Sequence, residues 1–248
     1  MDANNLKMRS RREFFGMVGA AAAAMALAEV PFLADAGEAK VKIGIIGSGR
    51  IGGTLGGLWV KAGHEVMFSA RNLGPVKKLA DSLGPLAHAG TPKEAAAFGD
   101  AILISVPYGA LPQLGRDLAG ELKGKVVLDT CNPSPTRDGD MAVAAKAKGT
   151  GVASAEYLPG VRLVRAFNSV GYTSLRSEAH RAGEKVAIPL AADDQEALAV
   201  AAQLVQDAGF EPVVVGPLAR AKDFDTGTSV YGKPLTAAEL RRALGLSS

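Results

Sequence analysis

Val41-Lys42-Ile43-Gly44-Ile45-Ile46-Gly47-Ser48-Gly49-Arg50-Ile51-Gly52 reads as an apolar strand, a G-x-G-x-x-G turn and the start of a helix. Each glycine has a mechanical reason. Gly47 permits the tight turn out of the strand, Gly49 removes a side chain where a pyrophosphate must approach, and Gly52 lets helix and strand pack closely. The helix from Arg50 offers unpaired N–H groups and the positive end of its dipole to phosphate oxygens. Its apolar face is Leu55, Leu58, Trp59 and Ala62; Gly63 and the strand Glu65-Val66-Met67-Phe68-Ser69 follow. A glycine-rich turn alone is weak, but with strand, helix and strand around it the segment reads as a dinucleotide site.

The next loop, Ser69-Ala70-Arg71-Asn72, selects the nucleotide. An NAD-specific site places an acidic side chain about 20 residues after the glycine turn, to bond the ribose 2′-hydroxyl. Arg71 stands there instead. A guanidinium forks onto a 2′-phosphate, with Asn72 or Lys77 in support, so the expected cofactor is NADP(H).

The first 36 residues carry a separate signal. Ser10-Arg11-Arg12-Glu13-Phe14-Phe15 fits the twin-arginine export pattern, with Lys7 and Arg9 adding charge ahead of it. Phe14 to Ala28 is uncharged and rich in alanine and glycine, and Ala34-Asp35-Ala36 supplies a small-x-small cleavage site. Glu29 interrupts the run short of the ~20 apolar residues a membrane span needs. The expectation is a signal peptide over 1–36, export through the twin-arginine translocase, and a periplasmic protein; an uncleaved membrane anchor is the alternative. Because this route carries folded proteins, the chain is expected to leave with its nucleotide bound.

Composition excludes several classes. The formal net charge is +3 and aromatic residues make up 5%, without a basic run, so nucleic-acid binding has no support. The single cysteine, Cys131, rules out an internal disulfide framework and is read as a small buried hydrophobe. His64, His88 and His180 lack metal-ligand spacing, so no metal is expected. G-x-S-x-G is absent, and with it the signature of a serine-hydrolase elbow.

Along the remaining chain, apolar β-branched runs alternate with helical stretches, the pattern of a mostly parallel sheet covered on both faces. Strands are predicted at 41–47, 64–69, 101–106, 125–130, 161–167, 185–191 and 211–215, with a weaker strand pattern at 86–89. Helices are predicted at 50–62, 75–83, 92–97, 110–119, 139–148, 193–208 and 236–244. The fold class is therefore α/β: a Rossmann-type, doubly wound single domain over 37–222. A polar tail, 223–248, is expected to pack on the domain or on a partner subunit.

Ligands of such sheets lie beyond the carboxyl ends of the strands. That selects the loop after the third long strand, with Val106 and Pro107, which can border the adenosine and nicotinamide ribose. It also selects the loop after the fourth, with Asn132, whose short polar groups could bond ribose or the nicotinamide amide. Asn168 and Tyr172, after the fifth, are candidates for substrate or nicotinamide contact; a turn-capping role for Asn168 stays equally open.

These motifs fall in a recognisable order: the glycine turn, Gly63-His64-Glu65-Val66, Ser69-Ala70-Arg71-Asn72, Ser105-Val106-Pro107, Val127-Leu128-Asp129, Ala166-Phe167-Asn168 and Gly216-Pro217-Leu218. In it the chain resembles the NADP oxidoreductases dependent on the deazaflavin coenzyme F-420, over nearly all of 41–222. It is similar also to the NADPH domain of six-transmembrane ferric reductases. The resemblance implies pyrophosphate contacts from Ser48, Gly49, Arg50 and Ile51, with the 2′-phosphate held by Arg71 and Asn72. It also implies that Val106, Pro107 and Asn132 border the nicotinamide half. The family usually has a serine directly before the arginine; here that residue is Ala70, and Ser69 is the nearest hydroxyl. From Phe224 onward the chain departs from the deazaflavin enzymes, where that region helps build the acceptor pocket.

The implied activity is hydride transfer between NADP(H) and a small-molecule redox substrate, a deazaflavin or flavin. No acid–base residue is needed for it, in keeping with the absence of a hydroxyacid-dehydrogenase constellation. Two alternatives remain: reduction of a small carbonyl or imine, and a non-catalytic NADP-binding redox module. A homodimer is common in the related families.

Overall fold

The computed structural model describes residues 40–246. The predicted leader lies outside the described residues. Among those described, no helix is long and apolar enough to cross a membrane.

In chain order the elements begin with β1 (Ile43–Ile46), α1 (Arg50–Lys61), β2 (Val66–Ser69), α2 (Leu73–Leu83), β3 (Ala87–Gly90), α3 (Pro92–Phe98) and β4 (Ala101–Ile104). Next come α4 (Leu111–Asp117), α5 (Ala119–Leu122), β5 (Val126–Asp129), α6 (Pro135–Asp138), α7 (Asp140–Lys148), α8 (Thr150–Tyr157) and β6 (Arg162–Arg165). The chain continues with α9 (Tyr172–Ser177), β7 (Ala187–Ala191), α10 (Gln195–Asp207) and β8 (Glu211–Gly216). It closes with a 3-10 segment, Leu218–Phe224, and α11 (Ala237–Ala243).

The eight strands form one sheet in the order β3-β2-β1-β4-β5-β6-β7-β8. Strands β1 to β6 are parallel, while β7 meets β6 antiparallel and pairs with β8 in parallel. The first six positions follow the dinucleotide-binding order, with the switch point between β1 and β4. The weak pattern at 86–89 is a real edge strand, β3, running from Ala87 to Gly90.

Side-chain alternation divides the core between the two faces. Ile43, Ile45, Leu103, Leu128 and Val164 pack with Leu55 and Trp59 of α1 and Leu198, Ala201 and Val205 of α10. Ile46, Ile102, Ile104, Val127 and Leu163 pack on the other face with Leu111, Ala145, Ala153 and Leu158. Each fully buried large apolar side chain contributes roughly 1.5–3 kcal/mol. Trp59 adds a hydrogen bond from its indole N–H to the Leu204 carbonyl, 2.7 Å away, which ties α1 to α10.

Helix starts follow their capping chemistry. Thr91 and Glu94 form a reciprocal capping box before α3, as do Thr236 and Glu239 before α11. Asp194 caps α10. The tail packs back on the β7–β8 end of the sheet: Phe224, Val230 and Leu240 are buried with Ala187, Val213 and Val215. Helices α6, α8 and α9 and the 3-10 segment Leu218–Phe224 fall outside the predicted elements, and the 3-10 turn Tyr108–Ala110 and α5 extend the predicted helix 110–119 at its two ends.

Candidate nucleotide site

The turn after β1 is built so that its backbone, and not its side chains, faces the strand ends. Gly47 has φ +101, a left-handed conformation that glycine adopts without strain. The Ser69 carbonyl gathers this turn, accepting from Gly47 N (3.1 Å), Ser48 N (2.9 Å) and Ser48 Oγ (3.1 Å). A Cβ on Gly52 would lie 2.2 Å from the Gly47 carbonyl oxygen, so the helix packs on the turn only as glycine. A Cβ on Gly49 would meet nothing within 4 Å. That open side is where a phosphate group fits.

Gly49 caps α1 with no side-chain bond, and the first turn holds no acidic residue. Among the described residues the N–H groups of Gly49, Arg50, Ile51 and Gly52 have no acceptor. The residues present therefore suit a phosphate ligand. Arg50 lies at this helix start with its guanidinium 5.0 Å from the centroid of the Tyr172 ring. This brings Tyr172 to the pyrophosphate end of the site.

Arg71 emerges at the end of β2, exposed and without a partner among the described residues. A guanidinium in that state is free to take a 2′-phosphate. Three neighbours are engaged within the protein. Ser48 has both its hydroxyl proton and its N–H committed to the Ser69 carbonyl, so it braces the turn and keeps no donor for phosphate. Ser69 is fully buried, its hydroxyl donating to the Ile45 carbonyl at 2.6 Å. Asn72 caps α2, accepting from Gly74 N at 3.1 Å.

Farther along the edge, Val106 sits under the turn: its Cγ1 would lie 2.9 Å from a Cβ on Gly47. Pro107 is exposed at the head of the following 3-10 turn. Asp138 ties this loop to the one after β5, accepting from Gly109 N (3.1 Å), Ser134 N (2.9 Å) and the Arg137 guanidinium (2.8 Å). The Arg137 hydrogen bond leads in holding the Asp138 carboxyl down at about 2.

Asn132 is half-buried, and its amide is spent within the protein. Nδ2 donates to the Asn168 carbonyl (2.7 Å) and to the Tyr231 hydroxyl (3.3 Å), while Oδ1 accepts from Arg165 (2.8 Å). Its side chain therefore has no N–H left to offer a ligand. Asn168 is likewise engaged within the protein. It is buried, and Nδ2 donates to the Phe224 carbonyl (3.3 Å) and the Asp225 carboxylate (3.5 Å), so the tail covers it. The preceding Phe167 has φ +57, costly for a bulky residue, and is held by edge-to-face contacts with Trp59 and Phe210.

Arg165 organises this end. Fully buried, it bonds Asp129 Oδ2 (3.0 Å), the Cys131 carbonyl (2.6 Å), Asn132 Oδ1 (2.8 Å) and Asp225 Oδ1 (3.2 Å). Burial works against its charge, yet Asp129 and Asp225 outweigh it and hold the guanidinium above its ordinary range. Sequence reasoning passed over Arg165 as a functional residue; the available signal was an arginine inside the predicted strand 161–167, three residues after the more exposed Arg162. Burial, with Asp129 adding to it, pushes the Cys131 thiol well up and leaves it unreactive. Among the described residues no metal-binding cluster is found.

Sheet order, glycine turn and open helix start together define a dinucleotide-binding Rossmann domain. Residues 42–133 match the family described as NADP oxidoreductase coenzyme F420-dependent, a likeness that covers the strands and turns around the glycine turn. It is also 28% identical over 206 residues to Metalloreductase STEAP3 of Rattus norvegicus, a match covering 80% of this chain and 37% of that protein. Thus the chain spans little more than a third of that relative's length. Among solved structures, a hypothetical protein from Sinorhizobium meliloti superposes with a TM-score of 0.69 at 22% identity, covering 79% of this chain and 95% of the other. A putative F420-dependent NADP-reductase from Arthrobacter sp. FB24 gives 0.63 at 21% identity, covering 73% and 87%. These two likenesses concern the fold.

Proposed function

We propose that this chain is an exported NADP-dependent oxidoreductase that passes hydride between NADP(H) and a deazaflavin- or flavin-type acceptor. The observation carrying this reading is the glycine turn, whose four N–H groups and the nearby Arg71 have no partner among the described residues. The family match over 42–133 and the likeness to a metalloreductase support the redox class.

When bound, NADPH supplies the hydride, and the chain's residues supply position. The N–H groups of Gly49 to Gly52 and the Arg50 guanidinium hold the pyrophosphate. Arg71 takes the 2′-phosphate by charge-assisted bonds. Val106, Pro107 and the Asn132 loop form the wall against which the nicotinamide rests, fixing the face presented and excluding water. The acid–base demand on the protein is small, because a flavin-type ring itself accepts the hydride.

NADPH oxidation is to be followed with FMN, a deazaflavin, a ferric chelate and carbonyl substrates in parallel. Turnover with a flavin or deazaflavin is the expected result. Turnover of a carbonyl or imine alone would replace this reading with its rival, and tight nucleotide binding without any turnover would make the chain a binding module.

The twin-arginine leader makes periplasmic export part of the proposal. A periplasm is not expected to hold a free NADP pool, so the nucleotide must travel with the folded chain. Protein isolated from periplasm should release NADP(H) on denaturation; its absence would contradict this part.

A further inference from the structure

We infer that Tyr231, in the C-terminal tail, is the hydrogen-bond donor that receives the electron acceptor, a flavin-type ring presenting a carbonyl or ring-nitrogen lone pair. The inference rests on the hydride-transfer reading and names the acceptor side of that same site.

Elimination within one cluster leads to it. Beyond the ends of β5 and β6, where the nicotinamide half is expected, four polar side chains meet: Asn132, Arg165, Asn168 and Tyr231. Both amide hydrogens of Asn132 are used, on the Asn168 carbonyl and the Tyr231 oxygen. Asn168 spends its amide on Phe224 and Asp225, beneath the tail. Arg165 is fully buried and turned inward to Asp129, Cys131, Asn132 and Asp225. Tyr231 alone is half-buried with a donor to spare. Its oxygen accepts from Asn132, which leaves the hydroxyl proton uncommitted among the described residues.

The tail fixes Tyr231 from both sides. Gly232 N donates to the Ser169 carbonyl at 2.7 Å, and Tyr231 N to the Thr228 carbonyl at 3.3 Å. Val230 is buried, and Asp225 is bonded by Arg165 and by Thr150 N. The phenol is therefore presented on a pinned turn, as a positioned donor requires.

The test uses Tyr231→Phe, which keeps the ring and removes the hydroxyl. FMN binding to the NADP+-saturated full chain is read by flavin fluorescence, alongside NADP+ affinity and thermal unfolding. FMN affinity is expected to fall about 5- to 10-fold, while NADP+ affinity and stability stay put. In turnover the loss should appear in KM for FMN. Unchanged FMN binding would overturn the inference, as would an equal loss of NADP+ affinity or a wild type that binds no FMN. If FMN binds in a Tyr231-dependent way but NADPH never reduces it, the Tyr231 site stands and the hydride-transfer reading falls.

Discussion

Arg165 and Asp129 face each other on adjacent parallel strands, Nη1 to Oδ2 at 3.0 Å, with neither side chain exposed to solvent. Removing one partner leaves an uncompensated buried charge, at a cost of about 3–5 kcal/mol. Arg165→Met should destabilise the protein by that amount in urea unfolding and loosen the loops after β5 and β6. Replacing both residues, Arg165→Met with Asp129→Leu, should recover part of the loss. A loss of about 1 kcal/mol or less for the single change, typical of surface pairs, would show that the pair does not anchor this end of the sheet.

The glycine turn separates two effects that its motif joins. Gly52→Ala drives a Cβ to 2.2 Å from the Gly47 carbonyl, so α1 must shift; a stability loss of about 1–3 kcal/mol is expected. Gly49→Ala meets open space, and a change within about 1 kcal/mol, the scale of an N-cap substitution, is expected. Nucleotide binding should nevertheless fall at least as far in Gly49→Ala, because the methyl group occupies the phosphate's approach. Equilibrium unfolding and NADPH titration of both variants check this contrast.

Tyr172 supports Arg50 through its ring, 5.0 Å from the guanidinium. Tyr172→Phe keeps that ring and should leave nucleotide affinity unchanged. Tyr172→Ala should weaken it by about 0.5–1 kcal/mol, the scale of an exposed cation–π contact. Isothermal titration with NADP+ distinguishes the two; equal behaviour of both variants would remove Tyr172 from the site.

Asp138 carries a pH dependence of known sign. Its folded value, about 2, lies below the ordinary carboxyl value of 3.8, chiefly through Arg137. The stabilisation is thus complete above pH ~4 and is lost as pH falls toward 2, with a size of about 2 kcal/mol. Asp138→Asn should lose stability at neutral pH and show a smaller further loss across that acid window. Parallel slopes for variant and wild type would refute the assignment.

What could be read in advance was local. The turn from β1 into α1 and the arginine after β2 each depend on residues within a few positions of one another. Helix α8, Thr150–Tyr157, escaped because its run of small residues carries no apolar stripe, and its burial comes from contacts with the 3-10 segment far along the chain. Asn168 was expected near a ligand because it ends a strand at the right edge. The tail, some 56 residues later, buries it. Likewise the Arg165 cluster joins Asp129 to Asp225 across three elements, and no spacing rule links those positions.

The central claim is that this site selects NADP(H) through Arg71, and dissociation constants for NADPH and NADH, in wild type and in Arg71→Ala, test it most directly. Loss of a charge-assisted phosphate contact should weaken NADPH by about 1.5–3 kcal/mol, roughly 10- to 150-fold, while NADH affinity barely moves. An equal loss for both nucleotides, or none for NADPH, would contradict the account.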